Sequence, residues 1–475
     1  MVVLWLEWVN DRVWSGTLLT LIFAVGAYIT ARTRCIQLRR FGQALRLVRR
    51  GEGEGGISAF SAVCTALSAA IGTGNIIGVA TAVVAGGPGA LFWMVLSAVL
   101  GMAIKYAEGV LAVRYRVRDT AGFSGGPYYY IERGMGYRWR WLGKLFALFG
   151  ALAGLLGMGT VIQSNSIAAA VSAMTESGGT VTFMLGDREY SLTTVLVGGA
   201  VTVLAALVIL GGIQRIAKVA AVLVPFMLGL YTLAIVTILV TFAAEIPSAL
   251  WLILRAAFAP RAALGAAAGV TVKQAIRMGV GRGIFSNEAG MGTEAIAAAA
   301  ARTSSPSRQG LVCMISTFVD TVVLCTLAGV VLVVTDAYRQ PGLDGIAMTA
   351  YAWQQGLPLA SSVASTLLML CLVFFAFSTI LGWNFYAQEC MRYLCGGRRE
   401  WMKLYRFLYI AAVGIGPYLS SGAAWVLADI FNGCMIFPNL VALLSLCGIV
   451  VRETAADAEK MPKNRTNSCI SRKIT

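Results

Sequence analysis

Two short runs of glycine and polar residues interrupt long apolar segments of the chain. The first reads Gly72-Thr73-Gly74-Asn75 and the second reads Gly290-Met291-Gly292-Thr293. Glycine lets a helix unwind without a steric penalty, and an unwound turn leaves amides and carbonyls without helical partners. Such amides suit an anionic group, whereas freed carbonyls suit a sodium ion or an ammonium group. Close helix packing would explain either run alone, but the pair favours a binding role.

A longer polar stretch surrounds the second run. Between Gly281 and Glu294 the sequence places Phe285, Asn287 and Glu288. We expect Phe285 to form an apolar wall of a pocket. Carboxylates within hydrocarbon are costly and need partners. Glu288 and Glu294 therefore either brace the unwound turn or contact a ligand, and the sequence leaves both roles open.

Hydroxyl and amide side chains mark two further apolar segments. Ser378 and Thr379 either supply two hard oxygens to a cation or bond back to the preceding turn of their own helix. Thr379 and Trp383 are four residues apart and share one helix face, where a hydroxyl and an indole can contact a polar group and limit the volume of a bound molecule. Gln163 and Asn165 either bridge helices or face a cavity.

One carboxylate, Asp320, stands alone in an apolar segment. An ionisable residue within a membrane is a functional-site candidate by default. The alternative is that Asp320 pairs with Arg282 in a structural or gating role. Histidine is absent, so a histidine proton relay is excluded.

The composition indicates a membrane protein. Of the 475 residues, 58% are hydrophobic and 13% are charged, whereas a soluble domain carries roughly 25% charged residues. Unwound backbone at membrane depth is tolerated only where protein or water surrounds it. Apolar windows long enough to cross a bilayer occur about eleven times, near residues 14–30, 57–84, 88–113, 145–172, 191–212, 216–242, 266–300, 309–334, 360–388, 403–420 and 422–450.

The basic residues predict how the chain is oriented. A net charge of +16 would suggest a nucleic-acid partner for a soluble protein. Here the lysines and arginines concentrate in the loops after the first, third and ninth spans and in the tail, which the positive-inside rule assigns to the cytoplasm. We therefore expect the N-terminus outside, the C-terminus in the cytoplasm and no nucleic-acid partner. The basic segment 245–282 is an exception, and we expect a lateral helix there.

The order of the spans predicts two repeats. After the first span come two groups of five, and each group begins with a broken segment. An odd number of spans in each half forces the halves into opposite orientations, which is typical of secondary transporters with inverted repeats. The predicted division is 1–52 for an extra helix and a basic cytoplasmic loop, 53–244 for the first repeat, 245–450 for an extracellular segment and the second repeat, and 451–475 for a disordered cytoplasmic tail.

The motifs resemble one family. The run from Gly72 to Ala80, continued by Gly86-Gly87-Pro88-Gly89-Ala90, resembles the signature of the alanine or glycine:cation symporter family, the sodium:alanine symporters. The runs Gly125-Gly126-Pro127 and Phe285 to Gly290 fit the same family, as do the residues around Gln163 and the pair Thr379 and Trp383. The resemblance extends over nearly the whole chain.

The resemblance implies a fold, a substrate and a site. The fold would be an all-α integral membrane protein of the LeuT type, in the APC superfamily, with a 5+5 inverted repeat, one extra N-terminal helix and two broken helices. Its function would be sodium-coupled uptake of alanine or glycine, with D-alanine also accepted, sodium as coupling ion and no other cofactor. The implied substrate residues are Thr73, Gly74, Asn75, Gln163, Phe285, Gly290, Thr379 and Trp383. The implied sodium ligands are the backbone carbonyls of Ser68 and Ile71 and the hydroxyls of Ser378 and Thr379.

We therefore predict a multi-pass symporter in the cytoplasmic (inner) membrane of a bacterium or archaeon. Its partners would be the amino acid, sodium and the lipid bilayer, with no obligate protein partner and no enzymatic activity. Within transport, the rival is proton coupling through Glu288, Glu294 or Asp320. Other rivals are a lipid-modifying membrane enzyme, for which no histidine-containing constellation exists, and a channel or non-transporting amino-acid sensor.

Overall fold

The computed structural model describes residues 2–14, 16–49, 57–119, 122–175, 181–185, 188–258, 271–343, 345–419 and 421–459. Within these ranges the chain is almost entirely helical. The helices are α1 Val2–Val13, α2 Gly16–Arg32, α3 Ile36–Arg39, α4 Phe41–Arg49, α5 Ala59–Ala70, α6 Ile77–Gly86, α7 Gly89–Arg114, α8 Pro127–Gly134, α9 Arg140–Leu156, α10 Val161–Thr175, α11 Leu192–Ile209, α12 Gly212–Thr241, α13 Ile246–Phe258, α14 Val272–Asn287, α15 Thr293–Ala300, α16 Pro306–Thr317, α17 Thr326–Val334, α18 Gly345–Gly356, α19 Ser361–Cys395, α20 Arg399–Ile415 and α21 Ser421–Glu459.

Short irregular helices and two hairpins complete the described chain. Single 3-10 turns occupy Thr73–Asn75, Tyr137–Trp139, Ala337–Arg339 and Gly416–Tyr418, and a π-helical segment, Phe318–Cys325, joins α16 to α17. Strands β1 Val117–Asp119 and β2 Gly122–Ser124 pair antiparallel, with Val117 opposite Ser124. Strands β3 Thr182–Leu185 and β4 Arg188–Ser191 also pair antiparallel, with Thr182 opposite Ser191.

Eight helical stretches of the described chain are long and apolar enough to cross a membrane. They are Trp5–Arg32, Gly89–Arg114, Tyr137–Thr175, Leu192–Ile209, Gly212–Thr241, Pro306–Val334, Ser361–Cys395 and Trp425–Glu459. The three predicted spans outside this set are 57–84, 266–300 and 403–420. The first two are each split into a pair of short helices, α5 with α6 and α14 with α15, because the glycine-rich runs interrupt them. The third corresponds to α20.

The structure refines two predicted segments, the basic segment 245–282 and the tail from residue 451. The segment 245–282 contains a helix, α13, and α14 begins at Val272, while residues 259–270 lie outside the described residues. The polar tail was expected to begin at 451. Instead, α21 continues to Glu459, because Asp457 pairs with Arg40 at 3.1 Å and accepts a hydrogen bond from Ser305 at 3.0 Å. Residues 460–475 lie outside the described part of the chain.

The helix α19 joins the two large apolar clusters of the core. Its first half, from Ala364 to Phe375, packs with side chains of α5, α6, α12, α17 and α18. Its second half, from Ala376 to Cys390, packs with side chains of α7, α9, α10, α14 and α21. Ser378 and Thr379 therefore lie near the junction of the two clusters, where α19 also meets the first broken segment.

Candidate functional site between the broken helices

The first break begins where α5 ends. A continuous helix would bond the Gly72 amide to the carbonyl of Ser68. Instead, the Gly72 amide donates to Oδ1 of Asn75 at 3.1 Å, and a single 3-10 turn separates α5 from α6. The helix is therefore interrupted as the glycines predict. Carbonyl groups at the end of α5 lose their usual helical donors.

Close contact with α19 requires glycine at position 72. A Cβ atom there would lie 2.5 Å from Oγ1 of Thr379 and 3.6 Å from Nε2 of Gln163. Thr379 Oγ1 is 3.2 Å from the carbonyl oxygen of Ile71 and 3.0 Å from that of Phe375. The break is thus bordered by a hydroxyl of α19 and an amide of α10.

Of the four residues expected to bind sodium, two are in direct contact. The Thr379 hydroxyl reaches the carbonyl of Ile71 across the helix interface. Ser378 bonds back to Phe375 at 2.8 Å, which is the structural role left open for it. The hydroxyl of Ser68 likewise bonds to the carbonyl of Thr65 in its own helix. Helices α5 and α19 are nevertheless in contact at Ser68, because a Cβ on Gly382 would lie 2.7 Å from Ser68 Oγ.

Several buried polar atoms around the first break have no hydrogen-bond partner in the described chain. They include Oγ1 of Thr73 and both amide atoms of Gln163, and both side chains are fully buried. A buried polar group without a partner costs roughly 1–3 kcal/mol, so such groups are typical of a site that a polar ligand fills. Asn165 differs, because its amide donates to the carbonyl of Leu419 at 3.0 Å and so bridges helices.

The second break adjoins the first. Glu288, Gly290 and Gly292 have φ angles of +56°, +87° and +74°, which end α14 and redirect the chain into α15. A Cβ on Gly74 would lie 3.5 Å from Cδ1 of Phe285. The two interrupted segments therefore meet, with the Phe285 ring against the glycine of the first break.

The aromatic residues of the predicted site lie on two sides. The Phe285 ring lies 5.2 Å from that of Trp425, and the guanidinium of Arg282 is 5.7 Å from the Phe285 ring. Trp383 is fully buried on α19. Its indole N–H faces Glu288 without reaching hydrogen-bond geometry.

Gly290 is held by contacts away from the first break. Its amide donates to Oε1 of Glu108 at 3.1 Å, and its carbonyl accepts from Asn439 at 2.8 Å. Both backbone polar groups of Gly290 are thus bonded to side chains of α7 and α21. Gly290 consequently belongs to the support of the second break in this structure.

Asp320 links the two breaks, and the hypothesis that it pairs with Arg282 is wrong. It accepts hydrogen bonds from Nδ2 of Asn75 at 2.7 Å and from Oγ of Ser286 at 2.8 Å. Arg282 instead lies 3.9 Å from Asp429 on α21. Asp320 lies in the π-helical segment, and such segments often occur at functional sites.

Two buried charges of α7, Lys105 and Glu108, were missed in the sequence. Lys105 pairs with Glu294 at 3.2 Å, and Glu108 accepts from the amides of Gly290 and Gly292. Glu288 accepts from Thr293 at 2.5 Å. The available signal was a lysine and a glutamate in an otherwise apolar span, which indicates buried partners.

Family membership follows from a match along almost the entire chain. The model of the sodium:alanine symporter family matches residues 1–470. The chain belongs to the sodium:alanine symporter family. This membership agrees with the site, in which interrupted helices and neutral polar atoms lie together within an apolar protein.

Two curated relatives are similar to the chain over almost their whole length. An uncharacterized transporter of Haemophilus influenzae is 48% identical over 449 residues, covering 94% of each chain. The sodium/alanine symporter AgcS of Methanococcus maripaludis is 41% identical over 458 residues, covering 94% of this chain and 95% of its own.

A solved transporter structure shares the fold. Mhp1, a nucleobase-cation-symport-1 family transporter, superposes with a TM-score of 0.53 over 84% of this chain and 78% of its own, at 13% identity. The family match and the AgcS relative, rather than this fold likeness, identify the protein as a multi-pass membrane transporter, a sodium-coupled amino-acid symporter and not an enzyme.

Proposed function

We propose that the protein carries alanine into the cell together with sodium, and that glycine and D-alanine are further substrates. The observation that carries this proposal is the buried pair Gln163 and Thr73, whose polar atoms have no partner in the described chain and lie at or beside the interrupted helix. Neutral donors and acceptors next to freed peptide groups suit a zwitterion. The name of the AgcS relative agrees with alanine as the substrate.

The proposed pose places the amino acid between the two breaks. Its carboxylate meets amides near Gly74, because the start of a half-helix favours an anion. Its amine meets carbonyls in the segment from Phe285 to Gly290. Asn75, although its side chain is bonded to Asp320 and Gly72, sets the shape of the turn that receives the carboxylate.

Two rings are proposed to limit the substrate to a small side chain. Phe285 and Trp383 are both buried, and Phe285 lies directly against Gly74. A larger side chain would have to displace one ring, and overpacking typically costs about 1–3 kcal/mol. Alanine and glycine would enter without that cost.

Sodium is proposed to bind between the end of α5 and α19. The carbonyls of Ser68 and Ile71 and the hydroxyls of Ser378 and Thr379 supply oxygens only. Thr379 already bridges to Ile71, so an ion placed there would tie the first broken segment to α19. An inward sodium gradient and a membrane potential worth about 2.3 kcal/mol per charge per 100 mV would drive accumulation by alternating access.

The proposed architecture has eleven spans in a LeuT-type arrangement. One extra helix, with residues 1–52, precedes two inverted five-helix repeats at 53–244 and 245–450. Both breaks support this division, since each opens its repeat and the two are in contact. We propose that the protein lies in the cytoplasmic (inner) membrane, with its N-terminus outside and its C-terminus in the cytoplasm.

Uptake of radiolabelled alanine into proteoliposomes tests the function. We expect accumulation that requires an inward sodium gradient and persists when the pH gradient is collapsed. Dependence on the pH gradient instead would favour the proton-coupled rival. Equilibration without accumulation would favour a channel.

Replacing Thr379 tests the sodium site. Thr379→Ala removes the only side-chain oxygen that contacts the Ile71 carbonyl among the described residues, so we expect sodium affinity in uptake to fall about tenfold, equivalent to about 1.4 kcal/mol. Thr366→Ala is the matched control, since this exposed hydroxyl of the same helix bonds only to Ser362 in the described chain. An unchanged sodium dependence in Thr379→Ala would remove the residue from the site.

A further inference from the structure

A buried cluster of charged side chains surrounds the second break. It consists of Lys105 and Glu108 of α7 with Glu288 and Glu294 of the interrupted segment, and none of the four is more than 4% exposed. If all are ionised, one positive and three negative charges give a net charge of −2. Buried charges without compensation are strongly unfavourable. The hydrogen-bond donors around each of the three carboxyls therefore indicate which of them is least stabilised in its ionised form.

Two of the three carboxyls accept several hydrogen bonds or an ion pair, although Oε2 of Glu108, like Oε1 of Glu288, is buried without a hydrogen-bond partner in the described chain. Oε1 of Glu108 accepts from the amides of Gly290 and Gly292 at 3.1 and 3.2 Å and from Asn439 at 2.7 Å. Glu294 pairs with the Lys105 ammonium at 3.2 Å and contacts Ser316 at 2.5 Å. Donors of this number and kind suit ionised carboxylates.

Glu288 has much less compensation. Its Oε2 accepts from Thr293, while its Oε1 is buried and has no hydrogen-bond partner in the described chain. The Tyr386 hydroxyl of α19 is also buried without a partner in the described chain, and its ring lies 6.1 Å from that of Trp383.

We propose that Glu288 is a proton-binding site and that its carboxyl is neutral in the transport-competent carrier. A proton on this carboxyl reduces the net charge of the cluster from −2 to −1 and removes the least compensated charge. A sodium ion fits less well because it needs several free oxygen ligands, whereas one oxygen of each of the three carboxyls already accepts a hydrogen bond. The proton is held at the break and is distinct from the coupling ion, so the proposed sodium dependence is unaffected.

The charged and polar groups around Glu288 lie on several elements. Lys105 and Glu108 belong to α7, and Thr293 and Glu294 belong to α15. Trp383 and Tyr386 belong to α19, and Asn439 of α21 reaches the cluster through Glu108. Among the four members of the cluster only Lys105 carries a positive charge, and Arg282 of the same segment lies beside Asp429 instead. A proton on Glu288 would therefore lower the net negative charge of the cluster.

Infrared spectroscopy of the purified full-length protein tests the proposal directly. We expect a C=O stretching band of a protonated carboxyl at neutral pH that shifts in D2O and is lost in Glu288→Gln. The band should remain in Glu108→Gln and in the control Glu453→Gln, where the carboxylate lies near the surface beside Arg114. A band that survives in Glu288→Gln, disappears in Glu108→Gln, or is abolished by sodium in the wild type would overturn the proposal.

Two further measurements keep the result independent of folding and of the proposed function. Should Glu288→Gln not yield folded protein, Glu288→Asp retains a carboxyl and should show the band at a shifted frequency.

In proteoliposomes, wild-type uptake should fall about tenfold per pH unit once Glu288 ionises, because only the protonated fraction is competent. Uptake by Glu288→Gln should not show that fall. A band assigned to Glu288 in a protein without sodium-dependent uptake would reject the symport proposal alone.

Discussion

The two breaks use the same backbone device but are supported in different ways. At the first break, the surrounding side chains are mostly neutral, and those of Thr73 and Gln163 keep polar atoms without partners in the described chain. At the second, the Glu108 carboxylate already binds the freed amides of Gly290 and Gly292. Glycine-rich interruptions therefore do not all present peptide groups to a ligand. We propose that the first break receives the carboxylate of the ligand, while the freed amides of the second break are held by the protein.

Asp320 connects these two environments. It accepts from Asn75 of the first break and from Ser286 of α14, so a shift of either segment disturbs the other. A buried network of this kind favours discrete arrangements over gradual deformation. In the proposed transport cycle, the braced second break would support the first break while it binds and releases the ligand.

Removing the buried cation beside the second break should have the largest effect. Lys105→Met leaves Glu294 buried without its cation, and breaking a buried ion pair in this way typically costs about 3–5 kcal/mol. We expect a large fall in thermal stability, measured by unfolding of the detergent-purified protein. The surface pair Arg339–Asp336 provides the control, since Arg339→Met should cost at most about 1 kcal/mol.

The double variant Lys105→Met with Glu294→Gln sharpens this test. It removes both charges, so part of the lost stability should return relative to Lys105→Met alone. If the double variant were no more stable than the single one, the ion pair would not be what braces the break.

A methyl group at the first break should affect transport more than stability. In Gly72→Ala the new Cβ would lie 2.5 Å from Thr379 Oγ1, and we expect overpacking of about 1–3 kcal/mol together with loss of most sodium-dependent uptake. Gly78→Ala is the matched control in α6, because a Cβ there meets no atom within 4 Å. Equal uptake by the two variants would show that the contact between the break and α19 is dispensable.

Much of the helical layout could be predicted from the sequence. The position of both breaks was predictable because glycine runs inside apolar segments leave few alternatives. The contact between Gly74 and Phe285 was also foreseeable once the breaks were taken as a pair. Family membership followed from the same motifs.

The electrostatic partners could not be predicted in the same way. The choice of Arg282 for Asp320 failed because sequence shows that a buried charge needs a partner but not which one. Asn75 and Ser286 fill that role because neutral donors can also hydrogen-bond to a buried carboxyl group. Lys105 and Glu108 lie in the middle of an apolar span, and an average hydropathy over about twenty residues stays high despite two charged residues.

The length of α21 depended on Asp457 and its contacts with Arg40 and Ser305, which are distant in sequence.

The smallest expected effect on stability comes from replacing the side-chain amides of Gln163 and Asn165 in α10. These two variants also give the most specific test of how the two breaks differ. Gln163→Leu removes a buried amide that has no partner in the described chain, so stability should be unchanged or slightly higher. Affinity for alanine should nevertheless fall about tenfold, or about 1.4 kcal/mol, in a scintillation proximity binding assay.

Asn165→Leu should give the opposite pattern, with lower stability and retained alanine affinity, because Asn165 bonds to the Leu419 carbonyl. If both variants lost stability and kept affinity, the amide of Gln163 would be a structural group, and the first break would have lost the feature that distinguishes it from the second.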